Sequence, residues 1–301
     1  MSVQQQIKTR DAVSPEIRAR AASKSTWVSV AVNFILSIGQ IIIGIFSKSQ
    51  GLIADGIHTL SDLVADFIVL FANHHSRKDA DDDHPYGHHR FENAASLILG
   101  LILCAVGLGM LVSATHKILH PEDIPQVHNI ALYMALVALI CKEALFRYML
   151  AVAKKVKSSL LVANAWHARS DAASSLVVTV GIIGNLLGYP ILDPIAALIV
   201  GLIIIKMGFE FGWNSLNDLM DKAVNDEELE AIRQTLLNTQ GVLGVHQLRT
   251  RKMGDMIIVD AHLEVYGELN VREGHQIAVN ARNAVMDKHD VIDVVTHIDP
   301  V

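Results

Sequence analysis

The chain has 301 residues, 51% of them hydrophobic and 19% charged, with mean hydropathy +0.35 and a formal net charge of −6. That is too apolar for a water-soluble protein of this length, and the apolar residues come in long blocks. No basic cluster interleaved with aromatics suggests nucleic acid. The two cysteines, Cys104 and Cys141, lie inside apolar stretches and read as packing residues rather than a disulfide framework.

The first 25 residues are polar and charged, which predicts a tail with no cleavable signal peptide. Six blocks follow, each long enough to cross about 30 Å of hydrocarbon at about 1.5 Å per residue. They run over 26–47, 52–72, 94–114, 130–151, 160–187 and 191–211. The second, fourth and fifth carry charges and are expected to score poorly on hydropathy. Their polar residues fall at helical spacing, which suits an interior face rather than lipid. Lys and Arg set the orientation. Arg10, Arg18, Arg20 and Lys24 precede the first block, Arg77, Lys78 and Arg90 follow the second, and Lys154, Lys155 and Lys157 follow the fourth. The opposite connections hold only Lys48 and Lys117. Both ends are therefore expected in the cytoplasm, with the chain in a cytoplasmic (inner) membrane of bacterial type.

Near Trp213 the chain changes character. Asn225-Asp226-Glu227-Glu228 reads as a helix start with acids in the first turn, leading to Leu229, Ile232 and Leu236 on one face. Residues 245–252 and 256–265 alternate like paired strands across a Gly254-Asp255 turn. A helix is predicted over 271–288 and a last strand over 291–298. The order αββαβ implies an α+β sandwich with helices on one face of a three-stranded sheet. The predicted organisation is a cytoplasmic tail (1–25), an α-helical six-span transmembrane domain (26–212) and a cytoplasmic metal-binding domain (213–301).

Two blocks repeat one spacing: His58-Thr59-Leu60-Ser61-Asp62 and His167-Ala168-Arg169-Ser170-Asp171. Residues four apart share a helix face, so each block offers an imidazole and a carboxylate in one direction. Two such helices facing each other supply four N/O ligands, the set a tetrahedral divalent cation, above all Zn2+, asks for. The alternative is that these groups only hydrogen-bond between helices, and the repetition weighs against it. Two carboxylates and two neutral imidazoles neutralise a 2+ ion. Ligands must lose protons to bind metal, and imidazole titrates near neutrality, so metal binding is coupled to protons. Asp55 is a candidate assisting group, Asp66 continues the face, and Asn164 reads as a helix-packing amide.

The segment 79–89, Asp-Ala-Asp-Asp-Asp-His-Pro-Tyr-Gly-His-His, is either a solvated charge patch or a loop whose turn residues Pro85 and Gly87 bring Asp81, His84 and His88 together. In the soluble domain His246, His262, His297 and Asp299 fall on all three predicted strands and can converge; His275 and His289 lie on or beside a helix and carry less weight. There is no His-Glu-x-x-His helix, P-loop or Gly-x-Ser-x-Gly elbow. That argues against an ATP-driven pump and against an enzyme, and leaves an ion gradient or the metal's own gradient as the energy source.

At this point the chain resembles the cation diffusion facilitator family over nearly its whole length. Ala54-Asp55-Gly56-Ile57-His58-Thr59-Leu60-Ser61-Asp62 and Ala165-Trp166-His167-Ala168-Arg169-Ser170-Asp171 are similar to its second- and fifth-span motifs. Asp81-Asp82-Asp83-His84-Pro85-Tyr86-Gly87-His88 resembles the loop of the bacterial zinc/iron efflux branch. Leu219-Met220-Asp221-Lys222-Ala223, the run from Gly244 to Arg251 and His297-Ile298-Asp299-Pro300 resemble that branch's cytoplasmic domain.

The resemblance implies a homodimeric, proton-coupled exporter with a ferredoxin-like (metallochaperone-like) cytoplasmic domain. It implies a transport site at His58, Asp62, His167 and Asp171 and a loop site at Asp81, His84 and His88. It further implies cytoplasmic ligands at His246, His262, His297 and Asp299, with His275 a further candidate, and a coupling pair of Arg90 and Asp221. The chain departs from the bacterial zinc/iron exporters at His58, where they have Asp, and an extra imidazole favours Zn2+ over harder Mn2+ and Mg2+. Fe2+, Co2+, Ni2+ and Cd2+ stay open as cargo. The expected function is Zn2+ export against protons by alternating access, in membrane lipid, with no nucleotide or nucleic acid as partner. The rival is a membrane-anchored metal sensor or storage protein that works through its cytoplasmic domain.

Overall fold

The computed structural model describes residues 15–301 except 77, 79, 156–158 and 255; the side chains of 15–22, 66, 69–76, 123, 159–161, 163 and 164 also lie outside the described set. Arg10, Arg77, Asp79, Lys157 and Asp255 and the side chains of Arg18, Arg20, Asp66 and Asn164, all used above, fall outside it. Six long helices come first: α1 (Pro15–Ser47), α2 (Gln50–Ser76), α3 (Arg90–Leu119), α4 (Asn129–Lys155), α5 (Ser159–Leu186) and α6 (Leu192–Leu219). Then come α7 (Asp226–Leu237), β1 (Gly244–Met253), β2 (Met256–Val265), α8 (Val271–Lys288) and β3 (Val291–Pro300). The chain divides into two compact units, Met1–Asp66 with Leu103–Met207, and Phe67–Ile102 with Gly208–Val301.

Among the described residues α1, α3, α4 and α6 are long and apolar enough to cross a membrane on composition alone. The low hydropathy expected of the fourth block is corrected: α4 qualifies, because Lys142 and Glu143 are adjacent and leave the run from Ile130 to Cys141 uninterrupted. The described residues of α2 and α5, the helices carrying the His-x-x-x-Asp motifs, are not among these spans. α6 continues past Trp213 to Leu219.

Inside the first unit the helix ends are built from local chemistry. Lys48 takes φ 61°, and the Ser49 N–H returns to the Gly44 carbonyl at 3.0 Å, closing α1. The buried Asp193, in the first turn of α6, then caps α2: it accepts from Ser49 Oγ at 2.5 Å and from the Gln50 N–H at 2.6 Å. α1 and α2 approach closely because α2 has Gly56 at the contact. A Cβ there would lie 2.8 Å from Ile41 Cγ1 and 3.0 Å from the Ile41 nitrogen. Leu145, Phe146 and Met149 of α4 pack on Ala165 and Ala168 of α5, with Val28 and Val32 of α1 against them.

In the second unit, Asn225 caps α7, and Asn270 with Glu273 form a reciprocal capping box on α8. Each such cap is worth about 1 kcal/mol. The sheet order is β1-β2-β3, β1 antiparallel and β2 parallel to β3, with α8 as the crossover that parallel neighbours require. Ile257, Val259, Ala261 and Leu263 alternate along β2 and join Ile232, Leu236, Ala281 and Val285 of the helices in one core. The intervening residues Asp260, His262 and Glu264 face the other way. The α+β reading, with helices on one face of a three-stranded sheet, is therefore observed.

Candidate metal centres

Three groups of side chains in the described residues bring ligand atoms within 4.8 Å of one another: His58, Asp62 and Asp171; Asp81, His84 and His88; and His246, His262 and Asp299. The first lies in the helical unit. His58 is 3% exposed and its Nδ1 stands 3.5 Å from Asp62 Oδ2, one turn along α2, yet this nitrogen has no hydrogen-bond partner. At that separation the contact is too long to count as a good hydrogen bond. Asp171 of α5 completes the group. His167, four residues earlier on α5, is exposed and does not join it.

Asp55 is not a member of this group either. It is 1% exposed and engaged elsewhere, with Lys142 Nζ 3.1 Å from its Oδ1 and Ser175 Oγ donating to its Oδ2 at 2.6 Å. The Gln40 side-chain amide donates to the same oxygen. Lys142 is a residue the sequence reasoning passed over. The available signal was a lysine inside an apolar block whose neighbour Glu143 points to a different helix face, so that it needs another acid partner to be tolerated there.

The loop group is shaped by turn chemistry. Gly87 N–H donates to the His84 carbonyl at 2.9 Å across Pro85 and Tyr86, and Gly87 takes φ 79°, where a side chain would be strained. The His84 N–H donates to Asp81 Oδ1 at 2.8 Å, and His88 Nε2 lies 3.4 Å from Asp81 Oδ2. His88 also stacks on Phe91 at 5.6 Å. The Asp81 carboxyl is held down to about 2, chiefly by the His84 backbone hydrogen bond, with help from the Lys78 and His84 side chains.

The sheet group is made by register. His246 is directly opposite His262, and His262 directly opposite His297, so three imidazoles form a row across all three strands. A bulge between His246 and Arg249, with Gln247 at φ 47°, sets the facing of His246 at the start of β1. Asp299 gathers the row: its carboxylate lies 2.9 Å from His262 Nδ1, 3.1 Å from His246 Nε2 and 3.3 Å from His297 Nε2. Desolvation pushes the Asp299 carboxyl up, but the His262 hydrogen bond and the charges of His297, His262 and His246 outweigh it and leave it below the usual carboxylate range.

Glu264, 3.9 Å from His246, was missed. It shares a strand face with His262 two residues away, which is the signal that could have found it. His275 does not reach this row within the chain, because α8 packs on the opposite face of the sheet. Arg90, at the start of α3, pairs with Asp221 after α6. Beside them, Asn93 donates to Asp218 at 3.2 Å and accepts from the Gly254 N–H at 3.0 Å.

Comparison with known proteins finds two families side by side. The Cation efflux transmembrane domain matches residues 26–220, and the Cation efflux protein cytoplasmic domain matches residues 224–301. Metal tolerance protein 2 of Oryza sativa subsp. japonica is 33% identical over 309 residues, covering 94% of this chain and 79% of its own length. Manganese efflux system protein MneP of Bacillus subtilis is 32% identical over 291 residues, covering 94% of this chain and 97% of its own. Magnetosome protein MamB of a Magnetospira species is 33% identical over 273 residues, covering 89% and 93%.

Proposed function

Because the chain belongs to the cation diffusion facilitator family, multi-pass membrane proteins that export divalent metal cations, we propose that this one exports Zn2+ from the cytoplasm in exchange for protons. The observation that carries the reading is the buried His58 nitrogen without a hydrogen-bond partner, set beside Asp62 and Asp171 on facing helices. A borderline cation finds one imidazole and two carboxylates there, and a turn of the exposed His167 ring supplies the fourth ligand. An imidazole in the set favours Zn2+ over Mn2+. The manganese named for MneP makes Mn2+ the rival cargo.

All six long helices cross the membrane, with both termini in the cytoplasm and the charged faces of α2 and α5 turned from lipid. Metal binds from the inside, the bundle rocks, and protons taken up from the outside by the ligands expel the ion. Two copies form the working unit. The loop and sheet groups bind metal at higher cytosolic levels and bias the transporter. The competing reading, a membrane-anchored sensor or store, draws on the sheet row alone and predicts no flux.

The test is flux in proteoliposomes carrying dyes for metal and for protons. Zn2+ movement with opposite proton movement is expected from the native chain, and both are lost in His58→Ala and Asp171→Ala. Native flux in the two variants overturns the site. Zn2+ movement without protons overturns the exchange, and faster Mn2+ than Zn2+ overturns the metal choice.

A further inference from the structure

Lys142 is the largest fully buried side chain in the described residues, 2% exposed in the middle of a helix bundle. Its Nζ lies 3.1 Å from Asp55 Oδ1 and donates to Ser175 Oγ at 2.7 Å. Ser175 in turn donates to Asp55 Oδ2 at 2.6 Å, and the Gln40 amide donates to the same oxygen. One carboxylate thus gathers α1, α2, α4 and α5.

The knot adjoins the metal group on both helices that carry it. Asp55 is three residues before His58 on α2, and Ser175 is four after Asp171 on α5, each about one turn away.

Packing does not account for a charge pair here. Apolar residues of the same volume hold helices together as well as a buried ion pair, or better. What the pair does that apolar residues cannot is fix charge. Resting on the transport-site reading above, we propose that Lys142 is a positioning cation. It cancels Asp55, so that the cargo meets two carboxylates, Asp62 and Asp171, and not three. Two carboxylates balance a divalent ion. A third, uncompensated one tightens binding, slows release and favours harder cations such as Mn2+, whereas an uncompensated Lys142 repels the ion.

The proposal predicts opposite signs from the two halves of one pair. Full-length variants in proteoliposomes are assayed with Zn2+ and Mn2+. Lys142→Met should lower the KM for Zn2+ by about tenfold, lower kcat, and narrow the preference over Mn2+. Asp55→Asn should raise KM by about tenfold, and the double variant should return it to within roughly threefold of native. A merely structural pair gives losses of the same sign in both single variants, or less active protein at unchanged KM, and either result overturns the proposal.

If Lys142→Met does not fold, Gln40→Glu adds one negative charge to the same knot with Lys142 in place and should also lower KM. A KM that is unchanged or raised in Gln40→Glu overturns the proposal. Asp171→Ala separates the two readings. Native flux there removes the transport site itself, while lost flux there with an unmoved KM in the charge variants removes only the role of Lys142.

Discussion

The metal group between α2 and α5 and the histidine row on the sheet use the same ligand types in opposite ways. In the first, a buried imidazole nitrogen has no hydrogen-bond partner, and the Asp62 carboxylate stands 3.5 Å away. In the second, three half-exposed or exposed imidazoles share one carboxylate at 2.9–3.3 Å. A cation entering the first group meets an under-satisfied site, so binding removes a penalty that the metal-free chain carries. A cation entering the second must break the His262–Asp299 hydrogen bond and displace the Asp299 carboxylate from its contacts with His246 and His297. The first offers a cation an unused ligand atom, and the second offers ligands that already hold one another. Helices supply the under-satisfied group and a sheet supplies the pre-satisfied one.

The largest effect tests that division directly. Asp62→Ala should lower Zn2+ flux by roughly 100-fold, as loss of a ligand does, while metal bound by the sheet row is unchanged. Elemental analysis of the purified variant beside its flux measures both. Asp299→Ala should do the reverse: the row loses its shared acceptor, metal affinity there falls about tenfold to a hundredfold, and flux at saturating metal stays within about threefold of native. A hundredfold flux loss in Asp299→Ala breaks the comparison, since the two groups then act as one site.

Proton dependence sharpens it further. The Asp299 carboxyl lies below its ordinary range in the folded chain. A depressed carboxyl stabilises the fold above its unfolded value and loses that contribution only as pH falls through the lower folded value. Between pH 7 and 5, then, Asp299 stays ionised and keeps its place in the row. The sheet should therefore persist over that interval, seen as constant far-ultraviolet circular dichroism. Loss of the dichroism by pH 5 contradicts it. Asp81, held to about 2, likewise keeps its loop contacts through this range.

How far the sequence revealed these groups depended on how local each signal was. β2 and α8 fall over the predicted 256–265 and 271–288, because alternation, capping residues and the Gly254 turn are short-range features. The register that lines up His246, His262 and His297 was not legible, since a bulge at Gln247 shifts β1 by one residue and no local pattern announces it. The knot around Asp55 was further from view: Lys142 lies 87 residues from its partner, and Ser175 lies 120. α4 is more apolar than its number of charges suggests for a simpler reason: Lys142 and Glu143 are adjacent and leave the run from Ile130 to Cys141 uninterrupted.

The smallest effects separate two neighbours at the start of α3, one conspicuous in the sequence and one not. Arg90 and Asp221 form an ion pair whose side chains are 41% and 53% exposed, so solvent screens it, and such pairs are worth about 0–1 kcal/mol. Asn93, three residues on, is buried and bridges Asp218 to the Gly254 N–H of the hairpin turn. Asn93→Ala leaves that N–H without its acceptor, a loss of about 1–3 kcal/mol. Thermal unfolding of the two variants in the same detergent should therefore rank Asn93→Ala below Arg90→Ala, and added salt should narrow the difference between native and Arg90→Ala while leaving Asn93→Ala where it was. The reverse order means that the charged pair carries more of the junction than its exposure allows.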